Sequence, residues 1–163
     1  MLVGTSAGGG LAAALSLYTR GRAEPSPHAQ FLVCPILDDR DKAISTTQFS
    51  ERDIWARSLN AACWKMYLQD RYGTCDVEPY AAPARATDFS QLPPNYIDIR
   101  SAEVFRDEVV QYASNIWAPG GDAELYVWPG GWHNFDLLLP TASLSMAAQQ
   151  AITNWVHHLF ARQ

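Results

Sequence analysis

The chain is poor in cysteine, poor in basic residues and free of long apolar runs, and each shortage closes off a class of function. Its three cysteines, Cys34, Cys63 and Cys75, are an odd number with no Cys-x-x-Cys pair. That pattern argues against a disulfide framework and against a zinc site, so no metal is expected. Reduced thiols lean towards an intracellular, cytoplasmic setting. No basic residue precedes Arg20 to form the charged head of a signal peptide. Lys and Arg total 12 against 17 Asp and Glu, with no basic run, which disfavours nucleic acid as a partner. No stretch approaches the roughly 18 uninterrupted apolar residues of a membrane span.

What is there reads as one folded domain. The 163 residues are 48% hydrophobic with a net charge of −5, enough apolar material for a core and too little charge for disorder. A short apolar run at 1–3 ends at Gly4. Residues 7–18, rich in Ala and Leu, read as a helix stopped near Arg20 and Gly21. Residues 30–34 form a continuous apolar strand halted by Pro35, and 38–51 are polar and irregular. Over 54–72, Trp55, Leu59, Ala62/Cys63 and Met66/Tyr67 recur at helical spacing and predict an amphipathic helix. Residues 78–94 hold four prolines and read as a loop. A strand at 95–99 precedes a helix at 107–117, and a strand at 124–128 ends at Pro129-Gly130-Gly131. The closing helix spans 143–160, with Leu144, Ala147/Ala148, Ala151/Ile152, Trp155 and Leu159 on one face. This alternation predicts an α/β domain with a mostly parallel sheet flanked by helices.

The sharpest motif is Gly4-Thr5-Ser6-Ala7-Gly8, a Gly-x-Ser-x-Gly between an apolar run and a helix. A serine on so tight a strand-to-helix turn projects its hydroxyl out of the sheet. Side chains at the flanking glycines would meet the neighbouring strand and helix. The helix behind Ser6 offers a positive dipole end and the Ala7 N–H as an oxyanion donor. Taken alone, the pentapeptide reads equally well as a Gly-rich turn with Ser6 as a helix N-cap. A phosphate-binding loop is excluded because no Gly-Lys-Ser/Thr follows.

A nucleophilic serine needs a base, and the base a carboxylate. His133 follows the strand at 124–128, where an open parallel sheet presents its ligands. His28 falls at the opposite end, and His157 and His158 sit in the last turns of a helix, where dipole and solvent account for them. Asp107 and Glu108 begin a helix, a place that favours carboxylates without any function. Glu103 comes earlier and is better placed to reach a neighbouring loop.

Together these segments resemble the α/β-hydrolase fold, specifically the hormone-sensitive-lipase-like esterases. The landmarks are GTSAGGGLAAAL at the elbow, CPILDDR after the next strand, LPPNYIDIRSAEVFRDEVVQYA around the acid and YVWPGGWHNFD around the histidine. The likeness runs over essentially the whole chain, a single truncated domain at 1–163. It implies a serine hydrolase of carboxylic esters with Ser6 as nucleophile, Glu103 as acid and His133 as general base. Ala7 then supplies an oxyanion N–H, the substrate is a small-molecule ester, and no cofactor takes part. The resemblance also implies a cap insertion at 41–76, whose Trp55, Trp64 and Tyr67 line an apolar pocket; plain helix packing is the competing role for these aromatics.

Thr5 stands where the family usually has Asp, Glu103 where Asp is common, and Asn134 where Gly often follows the histidine. None of these departures removes a catalytic group. The family's His-Gly-Gly-Gly, whose N–H groups complete the oxyanion hole, does not occur in this sequence. The resemblance therefore implies a match to the carboxyl-terminal half of an esterase domain, with an unpaired apolar sheet edge at 1–3. Losing one oxyanion donor costs about 10²–10³ in rate, so weak or absent activity is expected of the chain alone. The alternatives are a non-catalytic relative that binds a small ligand in the same cleft, or an inactive fragment. Oligomeric state, acyl group and alcohol group are not legible.

Overall fold

A computed structural model describes residues 1–20, 22, 25–50 and 54–161. Gly21, at the predicted stop of the first helix, and Glu51, at the end of the predicted irregular stretch, lie outside the described residues. The rest form a parallel four-stranded sheet of β1 (Leu2–Thr5), β2 (Gln30–Val33), β3 (Asn95–Arg100) and β4 (Ala123–Trp128), in that spatial order. Helix α1 (Ala7–Thr19) connects β1 to β2, and α4 (Arg106–Trp117) connects β3 to β4. Between β2 and β3 come α2 (Ile44–Gln48) and α3 (Arg57–Leu68); α5 (Phe135–Leu138) and α6 (Ser143–Ala161) follow β4. No helix among the described residues is long and apolar enough to cross a membrane.

The two central strands are buried at every position, as expected where a parallel sheet is covered on both faces. On one face Phe31 stacks on Tyr96 with ring centroids 4.7 Å apart, and Tyr96 on Tyr126 at 5.4 Å. Trp155 of α6 lies over both Phe31 and Tyr96, at 6.0 and 5.7 Å. Among the described residues β1 pairs only with β2, and its Val3 is exposed together with Leu11, Leu15 and Tyr18 of α1. That is the unpaired apolar edge anticipated from the sequence.

The other face receives α1 at very short range. A Cβ on Gly4 would lie 2.1 Å from the Gly8 carbonyl oxygen, and one on Gly10 would lie 2.2 Å from that of Ile36. One on Gly9 would lie 2.8 Å from the Pro35 Cβ. The expectation that both motif glycines avoid a clash holds for Gly4 and fails for Gly8, where nothing lies within 4 Å. The crowding belongs instead to Gly9 and Gly10, one turn into the packed side of the helix.

Three local expectations change. The stretch at 38–51 contains the single-turn helix α2, fixed by a bond from the Ser45 N–H to Asp107 Oδ2 at 2.8 Å. The helix expected at 54–72 is shorter, and the anticipated apolar stripe faces largely outward: Leu59, Met66 and Tyr67 are exposed, whereas Asn60, Trp64 and Leu68 are buried. The short α5 was not foreseen. Glu108 does more than favour a helix start. Its carboxylate accepts the Leu37 N–H at 2.8 Å and the Asp38 N–H at 3.3 Å, tying α4 to the segment after β2.

Burial pushes the Glu108 carboxyl well up, against the two N–H groups that favour its charged form. The folded chain therefore keeps a proton that the unfolded chain, with an ordinary Glu near about 4.3, releases. Stability falls as the pH rises from about 4.3 towards the raised value and levels off above it. Glu108→Gln keeps both acceptor bonds and removes that fall. Urea midpoints measured from about pH 4 to about pH 8 should converge at the acid end and favour the variant at the neutral end; parallel curves would refute this account. Separately, Gly4→Ala or Gly10→Ala should destabilise by about 3 kcal/mol or prevent folding. Gly8→Ala should be neutral or stabilising by up to about 1 kcal/mol in the same denaturation assay.

Candidate active site

The strand register brings the site together. Thr5 is level with Val33, Asp98 and Tyr126, so the segments that follow the strands leave the sheet at one edge. Ser6 follows β1 directly, Cys34 follows β2, Glu103 lies just beyond β3 and His133 just beyond β4. His28, exposed ahead of β2, stacks on Phe160 at 6.3 Å at the other end, and His157 and His158 are exposed on α6.

Ser6 has φ 55° and ψ −122°, a conformation that costs a non-glycine residue about 1–3 kcal/mol. Its backbone bonds hold it there. The Ser6 N–H donates to the Val33 carbonyl at 2.8 Å, and the Ser6 carbonyl accepts from the Gly10 and Ile36 N–H groups, each at 3.1 Å. Ser6 is half-buried and Ala7 exposed. The Ala7 N–H belongs to the first turn of α1, whose N–H groups have no acceptor within the helix.

Glu103 is fully buried and His133 is 3% exposed. His133 Nδ1 pairs with Glu103 Oε1. The imidazole is clamped by two aromatic rings, Trp55 at 5.9 Å and Phe105 at 5.8 Å between centroids. The Trp55 indole N–H is in turn held by Asn60 Oδ1 at 3.4 Å. Asn134, next to the histidine, has φ 59°, so the position where glycine is common does adopt a left-handed backbone, here filled by Asn.

A buried ionic cluster underlies this loop. Arg100, fully buried on β3, donates to Asp98 at 2.7 Å and to Asp136 of α5, and its guanidinium lies 5.3 Å from the Phe135 ring. Asp98 also accepts the Trp128 indole N–H and the Cys34 N–H, each at 3.3 Å. Burial raises the Asp98 pKa, with Arg100 opposing it. Sequence reasoning did not single out this cluster, although Asp98 and Arg100 stand two apart in β3 and so share one face. It also passed over Cys34. That thiol is fully buried and donates to Asn134 Oδ1 at 3.7 Å. Burial pushes its pKa well up, and the Glu103 carboxylate adds to the shift.

A cavity of ≈ 230 Å³ opens beside the elbow, lined among others by Ala7, Gly10 and Leu11 of α1 and by Asn60, Trp64 and Tyr67 of α3. Of the three aromatics expected in a pocket, Trp64 and Tyr67 therefore face this cavity, and Trp55 covers the imidazole.

A profile of the α/β-hydrolase fold matches residues 1–137. An acetyl-hydrolase from Streptomyces hygroscopicus is 31% identical over 144 residues, covering 85% of this chain and 46% of that protein. A solved bacterial heroin esterase superposes with a TM-score of 0.87 at 39% identity, over 93% of this chain and 49% of the other. The esterase LipW from Mycobacterium marinum gives 0.85 at 30% identity, over 96% and 48% of the two chains. The chain spans about half the length of these relatives. By the family match and the shared fold, it belongs to the α/β-hydrolase family, in the branch of the hormone-sensitive-lipase-like esterases.

Proposed function

We propose that the chain carries the nucleophile, acid and base of a carboxylic ester hydrolase, with Ser6, Glu103 and His133 in those roles. The observation that carries this reading is the buried His133–Glu103 pair at the same sheet edge as a serine held at φ 55°. With Nδ1 given to Glu103, Nε2 is the ring nitrogen left to take a proton from the Ser6 hydroxyl. The Ser6 oxygen attacks the ester carbonyl carbon. The tetrahedral oxyanion meets the Ala7 N–H and the positive end of α1.

The imidazolium, stabilised by the Glu103 carboxylate, returns its proton to the departing alkoxide and leaves an acyl-Ser6 ester. Water, deprotonated by the same imidazole, then releases the acid and regenerates Ser6. Trp55 and Phe105 pack against the ring on this line. Residues 41–76 act as a cap over the site. Trp64 and Tyr67, on the cavity beside Ala7, receive an apolar part of a small-molecule ester. The acetyl-hydrolase and esterase names of the relatives support the reaction class.

The direct test is covalent labelling of the folded chain with a fluorophosphonate probe, read by mass spectrometry. One adduct is expected, at Ser6, abolished in Ser6→Ala and slowed on the order of 10⁴-fold in Glu103→Gln. An adduct elsewhere, or none on a folded chain, overturns the catalytic reading in favour of ligand binding without turnover.

A further inference from the structure

We propose that Cys34, Glu103 and His133 form a binding site for one soft divalent cation of the zinc type, and that filling it disables the Glu103–His133 pair. A sulfur, a carboxylate oxygen and an imidazole nitrogen from these residues all lie within 4.8 Å of one another. The three residues are 0%, 0% and 3% exposed. Sulfur, nitrogen and oxygen together are the donor set of zinc, and three protein donors leave a fourth position for water. Cysteine spacing along the chain argued against such a site. The donors come instead from loops after three different strands, so only the sheet register collects them.

The charges balance. Cys34 surrenders its S–H proton to bulk water on coordination. Thiolate and carboxylate then carry two negative charges against the dication, and the buried site is neutral, which burial favours. The nearby Arg100 does not upset this balance, because Asp98 and Asp136 already pair with it. Metal–ligand bonds of about 2.0–2.3 Å set tetrahedral donors roughly 3.5 Å apart, so the widest pair must close by about 1 Å, within reach of side-chain rotation. A carboxylate and an imidazole turned towards the metal give up the hydrogen bond between them. The occupied site and the acid–base pair thus exclude each other.

The inference uses the proposed catalytic roles only for its inhibitory consequence, and its test separates the two. Titration of the full chain with Co²⁺ should give one bound ion and a thiolate-to-cobalt charge-transfer absorption in the near ultraviolet. Cys34→Ser and Cys34→Ala, checked for folding by circular dichroism, should lose that absorption and bind about 100-fold more weakly. Cys63→Ser and Cys75→Ser should retain it. No such absorption, or one that survives loss of Cys34 and follows Cys63 or Cys75, overturns the site. In the labelling assay, Zn²⁺ should slow the modification of Ser6 in the parent and not in Cys34→Ser; equal rates in the parent with and without Zn²⁺ overturn the inhibitory clause. A chain that binds Co²⁺ through Cys34 yet never labels refutes the catalytic reading alone. One that labels without the charge-transfer absorption refutes the metal site alone.

Discussion

The close approach of α1 to the segment after β2 holds the rest of the candidate site in place. The Ser6 carbonyl is shared between the Gly10 and Ile36 N–H groups, so one oxygen locks the first turn of the helix to the next strand's exit. Gly4, Gly9 and Gly10 leave no space for a side chain between them and their neighbours. From there the constraint spreads outwards. Leu37 and Asp38 are gripped by Glu108, and Asp39 by Arg85 with bonds of 2.6 and 2.8 Å, so the whole run from Cys34 to Asp39 has little freedom. Ser6 is held at a costly φ because the structure on both sides of it is already committed.

The second anchor is ionic. Arg100 joins β3 to Asp136 in α5, while Gly131, at the start of the histidine loop, would put a Cβ 3.2 Å from the arginine's own side chain. The His133 loop thereby hangs between a guanidinium and the left-handed turn at Asn134. Removing one partner of a buried ion pair leaves an uncompensated charge, at about 3–5 kcal/mol. A change at Arg100 would therefore displace the imidazole without touching it. The acid side is supported differently: Glu103 shares its turn with Phe105, which packs edge-on against the same ring. Each half of the Glu–His pair thus has its own support, one ionic and one aromatic.

Strands and long helices were legible because Pro and Gly punctuate them and their apolar periods are clean. Ser6, Glu103 and His133 could be named because each lies on a segment that follows a strand, at the edge where such sheets bind ligands, although their roles stay proposals. What could not be read depends on neighbours remote in sequence. In α3 two stripes recur at helical spacing, and the one that turned inward contains Asn60, buried because it accepts the Trp55 indole N–H. The periodic signal could not choose between them. Helices α2 and α5 are too short for any period and exist through bonds made elsewhere, such as Ser45 to Asp107. Cys34 looked like an incidental thiol because only the β2–β3 register places it beside Glu103.

The sequential strand order has a temporal consequence. Ser6 is made directly after β1, and α1 can pack on β1 and β2 once the segment through Val33 has emerged from the ribosome. His133 is made about 130 residues after Ser6, roughly 10 s later at ordinary rates of synthesis, and it can meet Glu103 only after β4 has joined the sheet. A nascent chain therefore holds a formed serine turn with no imidazole beside it. On the roles proposed above, chemistry is withheld until β4 docks, and the order of synthesis keeps the earlier serine turn silent.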